Sequence, residues 1–161
     1  MGRFFAAECG SYLTRVVDLK RSGDTNYAIL DGGMNHLTYY GQMMGLHVPA
    51  IENIGPCLSE DAQPFLPAQG GVAALQGAPA AWCLCGSLCT VNDVLVREVE
   101  LDSLSRGDVL AFGNAGAYAV TEGVYLFLSR TMPRILLRDG SGGVALARDF
   151  IETSPLNGFQ P

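Results

Sequence analysis

The sequence predicts a mainly β domain, a Greek-key-like barrel or sandwich with one short helix at the N-terminus. After residue 82, short β-rich runs alternate with Gly and Asp turns, a rhythm typical of antiparallel barrels and sandwiches. A hairpin pattern also lies near the N-terminus, and no internal repeat is visible. With 161 residues, the chain has room for one domain with a substantial core, or one domain and a tail.

The first elements follow from the spacing of apolar residues. Phe5, Cys9, Leu13 and Val16 recur at helical spacing, which predicts a short amphipathic helix ending near Arg15. The run VVDLKRSGD then predicts a strand that enters a Ser-Gly-Asp turn, and TNYAILDGG predicts the returning strand.

The middle of the chain predicts little regular structure. Residues 32–54 are predicted to be irregular, and from about 55 to 81 the composition shifts to Pro, Gly, Ala and Gln, which predicts a long surface insertion. The β-rich runs that follow are AAWCLC, DVLVREVEL, VLAF, VYLFLS, RILLRDG and GVALARDF, with turns at SRGD and GNAGAY. We therefore expect one domain over 1–154 and a loose tail over 155–161.

Charge and hydropathy exclude several classes of function. The net charge of −6 and the scattered basic residues argue against nucleic-acid binding. No apolar run approaches the roughly 20 residues that span a bilayer, and Glu8 interrupts the N-terminal apolar stretch, so we expect a cytoplasmic protein without a signal peptide. Only 16% of residues are charged, which predicts that part of the surface is covered by another domain or another copy.

The five cysteines are an odd number and predict reduced thiols rather than a disulfide framework. A metal site is the minor alternative, with candidate ligands Cys83, Cys85, Cys89, His36, His47 and Cys57. Their spacing matches none of the usual paired-cysteine zinc patterns, so no metal is expected.

Reactive groups are concentrated in CGSLCTVND, ahead of an apolar run, where packing alone does not require them. This motif, RGDVLAFGNAGAY and the opening GRFFAAECGSYLTRVVDLKRSGDTNYAILDGGMNHL occur in one order along the chain. Together they resemble the C-terminal domain of the fold-type III pyridoxal-phosphate (PLP) decarboxylases, the group of diaminopimelate, ornithine and arginine decarboxylases. The resemblance covers nearly the whole chain except the Pro/Gly/Ala-rich insertion.

The resemblance implies an enzyme with a PLP-binding TIM barrel before this β-barrel, working as a homodimer with active sites at the interface. Cys89 matches the cysteine of the family's Gly-Pro-x-Cys-[Glu/Asp]-x-x-Asp motif, the acid that protonates the substrate's α-carbon after CO₂ leaves. Tyr118 matches the tyrosine that helps hold the cofactor phosphate. Gly2 and Arg3 match the end of a Glu-Pro-Gly-Arg motif, whose arginine binds that phosphate with its planar fork.

Three further residues match positions expected to bind the substrate. Thr90 stands where the family has an acidic residue that contacts the substrate's amino group, and Asp93 matches the later aspartate of the motif. Tyr39 stands near the arginine with which diaminopimelate decarboxylases grip a distal carboxylate, and tyrosine cannot make that bidentate clamp. We expect an amino acid with a different distal end, such as an acylated or carrier-linked one.

The chain has a single lysine, Lys20, in a predicted strand-turn, whereas PLP enzymes attach their cofactor to a lysine. Met1 stands where the family motif has proline, so the TIM barrel with the cofactor lysine is expected to be missing, and this chain alone is expected to be inactive. The leading hypothesis is a decarboxylase domain that pairs with such a barrel or forms a homodimer. The alternative is a non-catalytic β-barrel module for interaction or regulation.

Overall fold

The computed structural model describes residues 2–38, 50–56 and 79–158. The strands are β1 (Tyr12–Ser22), β2 (Thr25–Leu30), β3 (Ile51–Pro56), β4 (Ala80–Cys85), β5 (Val94–Leu101), β6 (Asp108–Phe112), β7 (Ile135–Arg138) and β8 (Val144–Arg148). Two short α-helices, α1 (Gly2–Ala6) and α2 (Ser154–Asn157), and two 3₁₀ turns, Ala7–Cys9 and Phe127–Ser129, complete the described structure. The predicted fold class, mainly β with a short N-terminal helix, is confirmed.

The main sheet has six strands in the order β3-β6-β1-β2-β4-β5, and β7 and β8 form a separate hairpin. Strand β1 belongs to both halves of the sheet, because its first part pairs with β6 and its second part with β2. The pairing register shifts between Val16 and Asp18, and such a bulge bends a strand. The sheet is therefore curled into a half-barrel.

The described residues of the curled sheet and its loops form an apolar core. Its largest fully buried apolar side chains are Trp82, Phe112, Leu30, Leu37, Leu84, Leu95, Leu104, Leu110 and Val16. They come from five of the six strands and from the segments between strands, so the core fixes both the curvature and the loops that leave the sheet.

The predicted hairpin near the N-terminus is confirmed. Ser22 pairs with Thr25 across a two-residue turn, and Gly23 has a φ of 58°, a left-handed conformation that glycine adopts without steric cost. One pair departs from the antiparallel pattern, because β2 and β4 run parallel. Parallel neighbours cannot be joined by a tight turn, and β3 lies between β2 and β4 in the chain.

The predicted helix ending near Arg15 is wrong. The structure ends the helical turns at Cys9 and begins β1 at Tyr12, with Gly10 in an extended conformation between them. Phe5 is 82% exposed and Val16 is completely buried, so the residues at helical spacing do not share a buried face. Pairing with β6 and the burial of alternate residues decide in favour of a strand.

Of the predicted β-rich runs after residue 79, five form strands and VYLFLS does not. The runs AAWCLC, DVLVREVEL, VLAF, RILLRDG and GVALARDF form β4 to β8, as predicted, except that β6 also includes Asp108 of the predicted SRGD turn. The predicted strand VYLFLS is instead a set of turns, because Leu128 and Ser129 have positive φ values. Strand β3 spans the end of the stretch predicted as irregular and the start of the predicted insertion, and α2 begins one residue before the predicted tail. Of the predicted insertion, residues 57–78 lie outside the described residues.

No helix in the described part of the chain is long and apolar enough to span a bilayer.

Candidate active-site residues

The loop of residues 86–93, here called the Cys89 loop, joins β4 to β5. Cys89 lies at its tip as an exposed free thiol, while the preceding Leu88 is buried in the domain. The loop closes on itself, because the Gly86 N–H donates to the Asp93 carbonyl at 2.9 Å and the Thr90 N–H donates to the Leu88 carbonyl at 2.8 Å. A buried residue and a closed backbone therefore hold the thiol at a defined place on the surface.

Thr90, predicted to contact the substrate, also takes part in this turn. Its hydroxyl accepts a hydrogen bond from the Asn92 N–H at 3.3 Å, and its carbonyl accepts one from the Asp93 N–H at 3.2 Å. Side chains of this type commonly stabilise tight turns in this way. Thr90 is half-buried beside the exposed thiol, so its methyl and hydroxyl groups shape the surface next to Cys89.

Asp93, also predicted to contact the substrate, lies inside the loop and is only 2% exposed. One carboxylate oxygen accepts the Met34 N–H at 2.8 Å, and the other accepts the Leu88 N–H at 2.8 Å. The carboxylate thus joins the Cys89 loop to the segment of residues 31–38, here called the 31–38 segment.

Gly2 and Tyr118, which were predicted to bind the cofactor phosphate, lie next to each other outside the Cys89 loop. A Cβ atom added to Gly2 would be 3.1 Å from the Tyr118 hydroxyl. Tyr118 is 53% exposed and has a φ of 64°, an uncommon left-handed conformation for a tyrosine. Arg3 belongs to the same helix as Gly2, and the position of its side chain lies outside what the structure describes, as does Tyr39.

The turn that carries Tyr118 is fixed to the N-terminal helical turns. The Gly116 N–H donates to the Ala7 carbonyl, and the Ala115 N–H donates to the Gly10 carbonyl, each at 2.9 Å. A Cβ on Gly116 would overlap the Ala6 carbonyl oxygen, so only glycine allows this approach. The motifs MGR and NAGAY, distant in sequence, are thereby brought into one surface.

The 31–38 segment contacts both the Cys89 loop and the turn that carries Tyr118. It binds the Cys89 loop through Met34 and Asp93, and its Thr38 N–H donates to the Ala119 carbonyl at 3.0 Å, next to Tyr118. The segment therefore sets the position of the Cys89 loop relative to the Tyr118 turn.

Ser87 and Arg130 also hold the Cys89 loop, and sequence reasoning missed both. Ser87 stands where the family motif has proline, and its N–H, which proline would lack, donates to the Gly32 carbonyl at 2.9 Å. Arg130 donates to the Ser87 hydroxyl at 2.9 Å. The departure from proline could have identified Ser87, whereas nothing in the sequence connects Arg130 with a residue 43 positions away.

His36, a candidate metal ligand, uses both ring nitrogens inside the protein. Its Nε2–H donates to the Thr131 carbonyl and its Nδ1 accepts from the Tyr12 hydroxyl, each at 3.0 Å. Burial lowers the pKa of His36 and raises that of the Tyr12 phenol well above its usual range. In the described ranges, no group of three or more His, Cys, Asp or Glu side chains is arranged to hold a metal, and His47 and Cys57 lie outside those ranges.

A protein binds PLP at two ends, the phosphate and the end that bonds to a lysine. A backbone glycine beside a tyrosine hydroxyl, with Arg3 next in the chain, provides donor types that suit the phosphate. The other end needs a lysine, and Lys20 is exposed on β1 with its ammonium 5.4 Å from the centre of the Tyr27 ring. The residues present fit the phosphate end of the cofactor.

Known proteins resemble this chain in sequence. A family model described as "Pyridoxal-dependent decarboxylase, C-terminal sheet domain" matches residues 4–116. A decarboxylase of 2-[(L-alanin-3-ylcarbamoyl)methyl]-2-hydroxybutanedioate from Staphylococcus aureus is 32% identical over 84% of this chain and 31% of its own length. A diaminopimelate decarboxylase from Deinococcus radiodurans is 31% identical over 91% of this chain and 33% of its own. An L-glutamyl-[BtrI acyl-carrier protein] decarboxylase from Niallia circulans is 33% identical over 87% and 30%.

Solved structures agree with this result. The diaminopimelate decarboxylase of M. jannaschii in co-complex with L-lysine has a TM-score of 0.73 and 25% identity, covering 99% of this chain and 32% of that one. The chain spans about a third of the length of the relatives that it matches. On the family match over residues 4–116, which contains strands β1 to β6 and the Cys89 loop, this chain belongs to the pyridoxal-dependent decarboxylases and contains their C-terminal sheet domain.

Proposed function

We propose that this chain is the C-terminal domain of a PLP-dependent amino-acid decarboxylase, in which Cys89 protonates the α-carbon of the substrate after CO₂ has left. The observation that carries the proposal is an exposed thiol at the tip of a loop whose neighbouring residues are buried or hydrogen-bonded. A thiol held in this way can deliver a proton to one face of a bound substrate. PLP, when bound, withdraws the electron pair that decarboxylation leaves on the α-carbon.

We propose that Gly2, Arg3 and Tyr118 bind the cofactor phosphate. The proximity of Gly2 to the Tyr118 hydroxyl supports this assignment, since a backbone amide, a guanidinium and a phenol are suitable phosphate donors. The lysine that carries the cofactor would come from a TIM-barrel domain, because Lys20 lies on the sheet surface over Tyr27.

The substrate, we infer, is an amino acid whose distal end is joined to a larger group. Thr90 and Tyr39 replace the charged residues that would pair with a free amine and a free carboxylate. Two relatives support the inference by their names, one for a substrate with an alanine unit linked through a carbamoyl group, and one for a glutamyl group on an acyl-carrier protein.

Assembly as a homodimer, or with a barrel domain, agrees with the surface. Only 16% of residues are charged, and Leu136, Leu137, Val144 and Leu146 of the β7–β8 hairpin are each more than half exposed. Apolar surface of this kind is commonly covered by a partner. The described cysteines are free thiols, which supports a cytoplasmic location.

The experiment is a CO₂-release assay on this chain, a lysine-bearing TIM-barrel domain of the family, and the two together with PLP. We expect no release from this chain alone and measurable release from the pair. The substrate panel contains diaminopimelate, ornithine, arginine and glutamate, and amino acids linked through the side chain to an amide or a carrier thioester. Failure of a cofactor-loaded pair to release CO₂ from any of them would count against the proposal.

A further inference from the structure

The carboxylate of Asp93 is enclosed between two segments that are distant in sequence. Its oxygens accept the Met34 N–H, 59 residues away, and the Leu88 N–H, five residues away, both at 2.8 Å. Hydrogen bonds from backbone amides to an ionised carboxylate are stronger than those between neutral groups. Each carboxylate oxygen is therefore bonded to one of the two segments, and the Asp93 side chain connects the 31–38 segment to the Cys89 loop.

The surrounding backbone is shaped around this carboxylate. A Cβ atom on Gly33 or on Gly86 would overlap the Asp93 carboxylate oxygens. Gly33 belongs to the 31–38 segment and Gly86 begins the Cys89 loop. Two glycines on opposite sides thus allow the backbone to approach the carboxylate closely enough to enclose it.

Backbone bonds complete the attachment. The Ser87 N–H donates to the Gly32 carbonyl, and the Gly86 N–H donates to the Asp93 carbonyl, each at 2.9 Å. Cys89 directly follows Leu88, whose amide is bound to Asp93. A shift of the carboxylate would therefore move the backbone next to the thiol.

We propose that Asp93 is a positioning residue that fixes Cys89 by clamping the Cys89 loop to the 31–38 segment. This role replaces the contact with substrate that the motif suggested, because a side chain with 2% exposure and both oxygens bonded to backbone has no surface to offer a ligand. The existence of the clamp is argued from the loop geometry alone. Its effect on catalysis rests on the function proposed for Cys89.

The clamp can be tested first in the unmodified chain. Nuclear magnetic resonance detects scalar coupling across a hydrogen bond, here between the carboxyl carbon of Asp93 and the amide nitrogens of Leu88 and Met34. We expect both couplings. If neither amide is coupled to Asp93, the clamp does not exist.

Amide hydrogen exchange tests what the clamp does. In Asp93→Asn, one of the two accepting oxygens becomes an NH₂ group that can only donate, so one backbone N–H loses its acceptor and faces another donor. The clamp should therefore open, and the amides of Leu88 and Met34 should both lose protection by about tenfold or more. Amides of the β1–β2 hairpin should keep theirs, which separates loss of the clamp from general destabilisation. The matched control is Asp102→Asn, an exposed aspartate that should change neither amide. Unchanged protection of both amides in a folded Asp93→Asn chain would overturn the proposal.

Kinetics of the assembled, cofactor-loaded enzyme distinguish positioning from substrate binding. Asp93→Asn should lower kcat by about 10- to 100-fold, the scale of a misplaced catalytic group, and leave KM within about twofold. A raised KM with unchanged kcat would mean that Asp93 contacts the substrate, and unchanged values of both would mean that the clamp has no role in catalysis. If Cys89→Ala leaves turnover unchanged, the function proposed for Cys89 fails, while the coupling and exchange results still decide whether the clamp exists.

Discussion

Replacing Gly116 with alanine tests the joint between the N-terminal helical turns and the turn that carries Tyr118. The added Cβ would overlap the Ala6 carbonyl oxygen and lie 3.0 Å from the Ala7 carbonyl oxygen. Both are backbone atoms, so neither can move aside as a flexible side chain would. The turn must either strain or detach from the helical turns.

The structure sets the size of the effect. Overpacking typically costs about 1–3 kcal/mol. Detachment would break the bonds from Gly116 to Ala7 and from Ala115 to Gly10, at about 1 kcal/mol each. The cheaper route limits the loss, so we expect the free energy of unfolding to fall by about 2 kcal/mol.

Urea unfolding followed by tryptophan fluorescence measures this loss, because the single Trp82 lies in the core. With a typical slope of about 2 kcal/mol per molar urea, the midpoint should fall by about 1 M. The matched control is Gly140→Ala, since a Cβ there would meet no atom within 4 Å, and it should change the free energy by less than about 0.5 kcal/mol. Equal midpoints for the two variants would refute the tight approach of Gly116 to the helical turns.

Three further predictions concern individual side chains. Tyr118→Phe should weaken cofactor retention by the assembled enzyme, since it removes one hydrogen bond worth about 1 kcal/mol, and a cofactor release rate equal to that of the unmodified enzyme would contradict this. Burial, and then Cys83 whose sulfur is 3.8 Å away, raise the pKa of Cys85 to about 12. Cys85 is therefore almost entirely protonated at pH 9, and iodoacetamide should alkylate it far more slowly than the exposed Cys89, as mass spectrometry can measure. Burial lowers the pKa of His36 below 6.5, so the unfolded chain binds more protons than the folded one. The free energy of unfolding should therefore fall as the pH drops below about 6.5, by at most about 1.4 kcal/mol per pH unit. Urea unfolding at pH 7.5 and 5.5 measures this fall, and His36→Gln should make it smaller.

Local patterns were sufficient to predict most of the strands. Short β-rich runs and the Gly and Asp turn residues between them predicted the β1–β2 hairpin and the runs that became β4 to β8. They failed for residues 5–16 because the apolar spacing fits a helix, while the structure is decided by pairing of β1 with β6, almost 100 residues away. They failed for VYLFLS because its backbone is set by contacts such as the Val124 N–H to the Met34 carbonyl.

Motifs identified the residues of the candidate site, and only the fold showed what each residue touches. The resemblance led to Cys89, Gly2 and Tyr118, and the structure brings the last two together. It could not show that Asp93 is enclosed by backbone, because its partners, Met34 and the glycines around it, carry no side-chain signal in the sequence. The sequence did not identify Arg130 for a related reason, because its contact with Ser87 depends on how the chain after Tyr118 folds back onto the sheet.

The most direct test of the proposed function is the turnover of the assembled, cofactor-loaded enzyme with Cys89→Ala, compared with Cys9→Ala. Both residues are exposed free thiols, and only Cys89 lies on the loop between β4 and β5. If Cys89 supplies the proton, its replacement should lower kcat by about 100-fold or more, the scale expected for losing a positioned acid, while Cys9→Ala stays within about twofold of the unmodified enzyme. Full turnover with unchanged product in Cys89→Ala would contradict the account.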